Sequence, residues 1–259
     1  MQKKKYSSDI RRHAAYLFGI GLVCTAFMVA IWHIGGVSLS VFHPHHTMAL
    51  AVKAAEAEKE PSQNGKRHQV ILDAGHGGED GGALSSDGVA EKTLNLSVTK
   101  RLGTMLEAAG VEVIYTRTDD NGLYDGAIKG HRKMTDLKNR LAVAKAFPDA
   151  IFLSLHMNTF QMEKYHGAQL FYTNNEQSKA LATLMQERIK EYLQPDNTRM
   201  PKAADTSIFL LAQNEGCAVL AECGFLSNEQ EAKRLSDGVY QEKLAAVLCA
   251  SLLEFLGEK

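Results

Sequence analysis

The chain of 259 residues is long enough for one sizeable domain and an additional segment. Its formal charge of −1, from 29 Lys and Arg against 30 Asp and Glu, gives no excess of positive charge, and we expect no nucleic-acid partner. Four cysteines are too few for a disulfide scaffold, which excludes the small disulfide-rich class of secreted domains.

An uncharged apolar run, residues 14–32, lies close to the N-terminus. As a helix it would be about 28 Å long, close to the thickness of a bilayer core. Lysines and arginines cluster in residues 1–13, and the next basic residue after the run is Lys53. The positive-inside rule then predicts a single-pass membrane anchor with the remainder of the chain outside the cytoplasm. A cleaved signal peptide, which would make the protein secreted, is the alternative.

The segment after the apolar run predicts a stalk and then one domain. Residues 33–66 become polar and charged towards their end and contain Pro61 and Gly65, a composition typical of a linker. We therefore divide the chain into a cytoplasmic basic segment (1–13), a transmembrane anchor or signal sequence (14–32), a stalk (33–66) and a folded domain (67–259).

Within that domain, short apolar runs alternate with segments in which apolar residues recur at helical spacing. Strands are predicted at residues 68–73, 111–117, 150–155, 167–172, 207–211 and 217–221, and helices at residues 91–109, 137–147, 176–193 and 239–256. This alternation predicts an α/β domain with a mostly parallel twisted sheet, covered by helices on both faces.

Four residues of this domain can bind a metal ion or move a proton: His76, Glu91, His156 and Glu222. Three of them stand just past a short apolar run, and Glu91 begins a predicted helix. Ligands of open α/β sheets bind outside the carboxyl ends of the strands, so these residues can converge at one edge. Two histidines and a glutamate are the ligand set of a catalytic zinc that keeps a position open for water, and a further carboxylate can serve as the base.

Each of these residues also has an ordinary structural interpretation when it is taken alone. His76 would be a turn histidine, Glu91 a first-turn glutamate at the positive end of a helix, and His156 a core histidine. Glu222 is harder to explain in this way, because a buried unpaired carboxylate is costly. The glycines around His76 could also suggest a phosphate loop, but neither a Gly-Lys-Ser/Thr sequence nor the Gly-x-Gly-x-x-Gly spacing is present.

The domain resembles the zinc-dependent N-acetylmuramoyl-L-alanine amidases of the Amidase_3 type over roughly residues 67 to 257. The matching motifs, in family order, lie in residues 73–83, 91–96, 116–119, 154–158 and 222–228. The resemblance implies one zinc ion per chain, held by His76, Glu91 and His156, with Glu222 as the general base. It also implies peptidoglycan as the substrate, cleaved between the lactyl group of N-acetylmuramic acid and L-alanine of the stem peptide.

One departure from the family pattern narrows the resemblance. The family often carries a glutamate in a Gly-x-Glu sequence before an aromatic strand, whereas this chain has Gln169 after Gly167 and Ala168. This form is similar to the sporulation amidases of the CwlD type, which remove stem peptides before muramic-δ-lactam forms in spore cortex. A general autolysin or division amidase is the alternative, and dependence on a protein activator stays open.

Other residues of the domain receive supporting roles. We interpret Arg117, Asp119 and Arg140 as structural ion-pair residues, and Asp73 as a candidate to orient His76. Asn158 could orient a ligand or touch substrate. Buried thiols are predicted at Cys217 and Cys249, with Cys223 as a less favoured zinc ligand; His131 and His166 are expected in loops near the cleft.

Two other classes of protein stay open at this point. One is a zinc carboxypeptidase or endopeptidase that acts on the stem peptide. The other is a non-catalytic cell-wall-binding or regulatory module, against which the presence of all four site residues argues. Product analysis separates the peptidases from the amidases, because only an amidase frees the amino terminus of L-alanine.

Overall fold

The computed structural model describes residues 68–124 and 130–257. The predicted basic segment, apolar run and stalk lie outside these residues, so their assignment stays a prediction. In the two described ranges, no helix is long and apolar enough to cross a membrane.

The described residues form an α/β domain whose elements largely follow the predicted order. Its strands are β1 (Gln69–Ala74), β2 (Glu112–Tyr115), β3 (Ile151–Asn158), β4 (Gln169–Tyr172), β5 (Lys202–Ala203) and β6 (Ala218–Phe225). Its helices are α1 (Glu91–Ala108), α2 (Arg132–Ala146), α3 (Glu176–Tyr192), α4 (Phe209–Ala212), α5 (Glu229–Ser236) and α6 (Gly238–Gly257).

The strands form one six-stranded mixed sheet of order β2-β1-β3-β6-β4-β5. Strands β2, β1, β3 and β6 pair in parallel, β4 runs antiparallel to β6, and β5 is parallel to β4. The prediction of a mostly parallel sheet is thus confirmed for its centre, and the antiparallel step between β6 and β4 makes the whole sheet mixed.

Helices cover both faces of this sheet, as predicted. Strands β1 and β3 are apolar on both faces, which is typical of strands buried in a parallel sheet. Alternate residues such as Leu72 and Leu153 join a large core with α1, α3, α5 and α6. The residues between them, such as Ile71 and Phe152, join a smaller core with α2 and α4.

Three elements of the structure differ from the sequence prediction. The predicted strand at residues 207–211 is wrong, because Phe209–Ala212 forms the short helix α4. The neighbouring residues Leu210 and Leu211 are both buried, which a helical turn allows and the alternation of a half-buried strand does not. The two-residue strand β5 and the helix α5 were not predicted.

The parallel centre of the sheet brings the carboxyl ends of β1, β3 and β6 to the same edge. Asp73 is paired with Ser154 on β3, and His156 is paired with Glu222 on β6. The pairing of β1 with β3 extends one residue past the end of β1, since Gly75 N donates to Leu155 O at 3.0 Å. Side chains from three strands and the start of α1 therefore meet at this edge.

Candidate metal centre

The structure brings together the three residues predicted as metal ligands. Nε2 of His76 lies 3.1 Å from Oε2 of Glu91, and Nδ1 of His156 lies 2.9 Å from Oε1 of the same carboxylate. One ligand atom from each of the three residues lies within 4.8 Å of the others. The two imidazole rings meet edge to face with centroids 4.9 Å apart.

The Glu91 carboxylate is buried and held by main-chain and side-chain donors. Its oxygens accept hydrogen bonds from Ala83 N at 2.9 Å, Met157 N at 3.0 Å and Asn95 Nδ2 at 3.2 Å. Burial alone would raise its pKa, but the hydrogen bonds from His156 and His76 outweigh burial and hold the pKa below its usual range. Glu91 is therefore ionised and fixed, as a metal ligand must be.

His76 is oriented by a loop residue that the sequence analysis did not assign. Its Nδ1 lies 2.9 Å from Oδ2 of Asp80, four residues later. Burial lowers the pKa of His76, but the bonds to Glu91 and Asp80 outweigh that effect and raise it. An imidazole with one nitrogen on a carboxylate presents the other nitrogen in a fixed direction, an arrangement that is common for metal-bound histidine.

Asp73, the residue expected to orient His76, has another role. Its carboxylate is fully buried and accepts from Thr116 Oγ1 and Ser154 Oγ, both at 2.6 Å. It also pairs with Arg140 Nη1 at 2.5 Å. Burial raises the pKa of Asp73, but Arg140 and the two hydroxyls outweigh it, so the pKa is lowered. The prediction that Asp73 orients His76 is wrong, because its side chain points to α2.

Two arginines beneath the site hold the loop that carries His76. Arg140 Nη1 donates to Ala74 O at 2.8 Å, and its Nη2 donates to His76 O at 2.6 Å. Arg117 donates from Nε to Ala74 O at 2.8 Å and from Nη2 to Gly75 O at 3.0 Å. The predicted ion pairing is confirmed for Arg140, which pairs with Asp73 and Asp136, whereas Arg117 acts through main-chain carbonyls.

Glycine is required at two positions around this cluster. A Cβ atom on Gly75 would overlap the His156 imidazole, and one on Gly82 would overlap the Glu91 carboxylate. Gly82 also has a φ of 68°, and His76 itself has a φ of 62°. The backbone thus turns sharply to place His76, and glycine lets the loop approach its partners closely.

Glu222 lies next to the cluster on β6, in register with His156. Its Oε2 atom is buried and has no hydrogen-bond partner among the described residues. Burial raises the pKa of Glu222, and the nearby Glu91 charge raises it further against the opposing effect of the histidines. A carboxylate with a raised pKa and an unpartnered oxygen is suited to accept and release a proton.

The remaining candidates do not join the cluster. Cys217, Cys223 and Cys249 are buried and form no disulfide, which confirms the two predicted buried thiols. The Cys223 Sγ atom lies 3.6 Å from Ala221 O, and burial raises the pKa of its thiol, which disfavours a thiolate ligand. Oδ1 of Asn158 accepts from Thr159 N, and His131 and His166 are exposed.

Sequence reasoning missed Asp80 and Asn95, although helical spacing gave a local signal for Asn95. Asp80 follows His76 by four residues, and Asn95 follows Glu91 by four residues in α1, where side chains at that spacing are neighbours. Asn95 is buried and donates to Gly75 O at 3.1 Å as well as to Glu91. It thereby connects the ligand helix to the glycine-rich loop.

The donor set fits a divalent metal ion. Two imidazoles and an ionised carboxylate converge on one point, and nitrogen and oxygen donors of this kind bind first-row divalent metals. The unpartnered Glu222 oxygen lies beside them and completes the groups that metal-assisted hydrolysis needs. Fold and site together define an α/β domain of the metal-dependent hydrolase class, with a candidate metal centre at the carboxyl edge of its sheet.

Comparison with known proteins specifies the family. The model of the N-acetylmuramoyl-L-alanine amidase family, Amidase_3, matches residues 70–254. The chain belongs to this family and is an N-acetylmuramoyl-L-alanine amidase, an enzyme of peptidoglycan. This result selects the amidase among the classes that the sequence left open.

Individual relatives agree with this assignment. The germination-specific N-acetylmuramoyl-L-alanine amidase of Bacillus subtilis (strain 168) is 33% identical over 193 residues, which cover 73% of this chain and 80% of the relative. The structure of the CwlD amidase from Clostridioides difficile, in complex with the GerS lipoprotein, matches with a TM-score of 0.71 and 40% identity. That match covers 74% of this chain and 100% of the other. An N-acetylmuramoyl-L-alanine amidase from Clostridium difficile 630 matches with a TM-score of 0.65 and 28% identity, over 75% of this chain and 100% of that one.

Proposed function

We propose that this amidase is a zinc enzyme in which His76, Glu91 and His156 hold the metal and Glu222 is the general base. The bond cleaved joins the lactyl group of N-acetylmuramic acid to L-alanine. One observation carries the proposal: two imidazoles and an ionised carboxylate meet beside a carboxylate whose buried oxygen has no partner among the residues described.

The residues of the chain divide the chemistry between them. Zinc, when bound, supplies a Lewis acid for the amide carbonyl and makes a water molecule more acidic. Glu222 takes a proton from the attacking water at Oε2 and delivers it to the leaving nitrogen of L-alanine. Asp80 keeps Nδ1 of His76 engaged, so that Nε2 faces the metal position.

Digestion of purified peptidoglycan by the full-length chain tests the reaction. We expect mass spectrometry to find free stem peptides with an L-alanine amino terminus and glycan strands that keep the lactyl carboxyl. The Glu222→Gln variant should release neither product. Cleavage within the stem peptide instead would show a peptidase.

We propose that the enzyme acts in spore cortex, before muramic-δ-lactam is formed. The support is its likeness to a germination-specific amidase and to CwlD, together with Gln169 at the position where the family often has glutamate. Spores of a deletion strain should lack muramic-δ-lactam, and the wild-type gene but not the Glu222→Gln form should restore it. Normal lactam in the deletion strain would favour a general autolysin or division amidase.

We also propose that the catalytic domain lies outside the cytoplasmic membrane, anchored by residues 14–32. The support is the apolar run with basic residues before it. A reporter fused after Lys259 should be active outside the cytoplasm, and the full-length chain should sediment with membranes. A shortened product that begins near residue 50 would show a cleaved signal sequence.

We propose a protein partner for the catalytic domain. The support is that the similar CwlD amidase was solved in complex with a lipoprotein. Cross-linking in sporulating cells should join the chain to a lipoprotein, and adding that lipoprotein should raise the activity of the purified chain. Equal activity with and without it would contradict an activating role.

A further inference from the structure

Arg199 is held beside the first residue of β4 through contacts with three parts of the chain. Its Nη1 donates to Oε1 of Gln169 at 2.7 Å, and its Nε donates to His166 O at 3.0 Å. The guanidinium carbon lies 4.5 Å from the centre of the Phe225 ring. A flexible side chain is thereby held in one orientation while it remains partly exposed.

The position of Gln169 connects Arg199 to the active site. Gln169 on β4 is paired with Glu222 on β6, and Glu222 is paired with His156 on β3. Directly paired residues present their side chains on the same face, and neighbouring strands are about 4.8 Å apart. The side chains of His156, Glu222 and Gln169 thus form a row across the sheet, and Arg199 stands at its end.

The charge of Arg199 is not balanced by the protein around it. In residues 68–124 and 130–257, no carboxylate lies within ion-pair distance of its guanidinium, and its Nη2 makes no hydrogen bond. Five other arginines pair with carboxylates in the same part of the chain: Arg101, Arg132, Arg140, Arg188 and Arg234. The direct side-chain partner of Arg199, Gln169, is a neutral amide, so the positive charge remains available to a ligand.

We propose that Arg199 determines specificity by binding a free carboxylate on the peptide side of the scissile bond. This inference rests on the proposed function. The carboxyl group of muramic acid is consumed in the scissile amide, so a free carboxylate near that bond belongs to the peptide. The second residue of a stem peptide is a γ-linked glutamyl residue, whose α-group is a carboxylate or a carboxamide. Nη2 of Arg199 can donate to the carboxylate with charge assistance.

A pair of muramoyl peptides that differ in this one group tests the proposal. We expect the full-length wild-type enzyme to have a kcat/KM roughly 10- to 100-fold higher for the α-carboxylate substrate than for the α-carboxamide substrate. One hydrogen bond between charged groups provides discrimination of about this size. Arg199→Gln should reduce the ratio to about 1, and Arg199→Lys should keep part of it. Arg101→Gln, which removes a surface arginine paired with Glu242, is the matched control and should keep the wild-type ratio.

A second substitution changes the charge without touching the arginine. Gln169→Glu should pair with Arg199 and consume its charge, so the preference for the carboxylate substrate should fall as it does in Arg199→Gln. The ratio of the two substrates is the readout, because a charge beside Glu222 can also change absolute rates. An unchanged ratio in both Arg199→Gln and Gln169→Glu would overturn the proposal.

Binding separates this inference from the proposed function. In the Glu222→Gln background, calorimetric titration should show the same preference for the carboxylate peptide, and Arg199→Gln should abolish it. Equal affinity for both peptides would overturn the role of Arg199 even if the enzyme cleaves them. Failure of the wild-type chain to cleave either substrate at the muramoyl bond, with preferential binding intact, would contradict the proposed function alone.

Discussion

The two glutamates of the site have opposite environments. Glu91 is surrounded by two imidazoles and main-chain donors, which lower its pKa against the effect of burial. Glu222 has a buried oxygen that no donor of the described residues reaches, and burial raises its pKa. These environments keep Glu91 ionised, whereas Glu222 is the carboxyl group that can bind and release a proton.

Substitution of each glutamate by glutamine should separate these roles. Glu222→Gln should bind zinc normally but lose hydrolysis by at least about 10²- to 10⁴-fold, because a general base is lost. Glu91→Gln should lose both zinc and activity, since a neutral amide is a poorer ligand. Metal content and turnover on peptidoglycan, measured on the same samples, check the pair. Loss of zinc in Glu222→Gln with retention in Glu91→Gln would reverse the two assignments.

Asp80 should matter for metal affinity although it is not a ligand. Asp80→Asn weakens the hold on Nδ1 of His76, and we expect zinc affinity to fall by about 10- to 100-fold. Competition with a chelator measures the change. Asp87→Asn, at an exposed position of the same loop region, is the control and should bind zinc like the wild type. Equal affinity in both variants would show that Asp80 does not orient His76.

For individual residues, the sequence motifs identified those that meet at the cluster, but not all of their neighbours. His76 lies two residues past β1 and Glu91 begins α1, whereas His156 and Glu222 lie inside β3 and β6 near their carboxyl ends. The choice between Asp73 and Asp80 as the partner of His76 depends on the left-handed backbone at His76, which no local pattern specifies. Arg199 reaches Gln169 from a loop 30 residues away, a contact that only the tertiary fold creates.

Among the structural elements, the glycine-rich loop between β1 and α1 has the strictest requirements. It must pass close to the His156 ring and the Glu91 carboxylate while Arg140 and Arg117 bind its carbonyls. A side chain at Gly75 is incompatible with this path, whereas Gly81 has space, since its nearest neighbour to a built Cβ is 3.9 Å away.

Alanine at these two glycines should give different results. Gly75→Ala should displace His156, destabilise the domain by about 1–3 kcal/mol through overpacking and reduce zinc affinity. Gly81→Ala should leave both properties close to wild type. Thermal unfolding and zinc titration are the measurements. Normal zinc binding in Gly75→Ala would mean that the loop is less constrained than the structure indicates.

The elements that sequence patterns predicted correctly have either helical periodicity of apolar residues or a continuous apolar run with clear ends. Helix α1 begins at Glu91 as expected, and β3 and β6 follow their apolar runs. The run at residues 207–211 was mistaken for a strand because a short apolar segment carries no periodicity that separates strand from helix. The reversed direction of β4 was not predicted either, because strand pairing depends on contacts distant in sequence.

Across the whole molecule, the buried pair of Asp73 and Arg140 ties β1 to α2 beneath the metal centre. The ion pair also contacts β3 through Ser154. Removing one partner of such a pair leaves a buried charge without compensation, which typically costs about 3–5 kcal/mol. The stability of the fold and the position of His76 therefore depend on the same two residues.

This pair predicts an acid-dependent loss of stability. The pKa of Asp73 is lower in the folded chain than in the unfolded one, so its contribution is complete above the unfolded pKa of about 3.9. The contribution decreases as the pH falls from there through the folded pKa. Asp73→Asn should unfold more easily at pH 7 and lose part of the pH dependence below about pH 4. Urea denaturation across this range, with Asp87→Asn as control, checks both; an unchanged acid dependence in Asp73→Asn would contradict the assignment.

The central claim is that His76, Glu91 and His156 form one zinc site in this amidase. The zinc content of the purified full-length chain, measured by mass spectrometry of the metal after dialysis, tests it most directly. We predict about one zinc per chain for the wild type and for His131→Ala/His166→Ala, which removes two exposed histidines outside the cluster. His76→Ala/His156→Ala should contain almost none. Full zinc occupancy in that double variant would contradict the account.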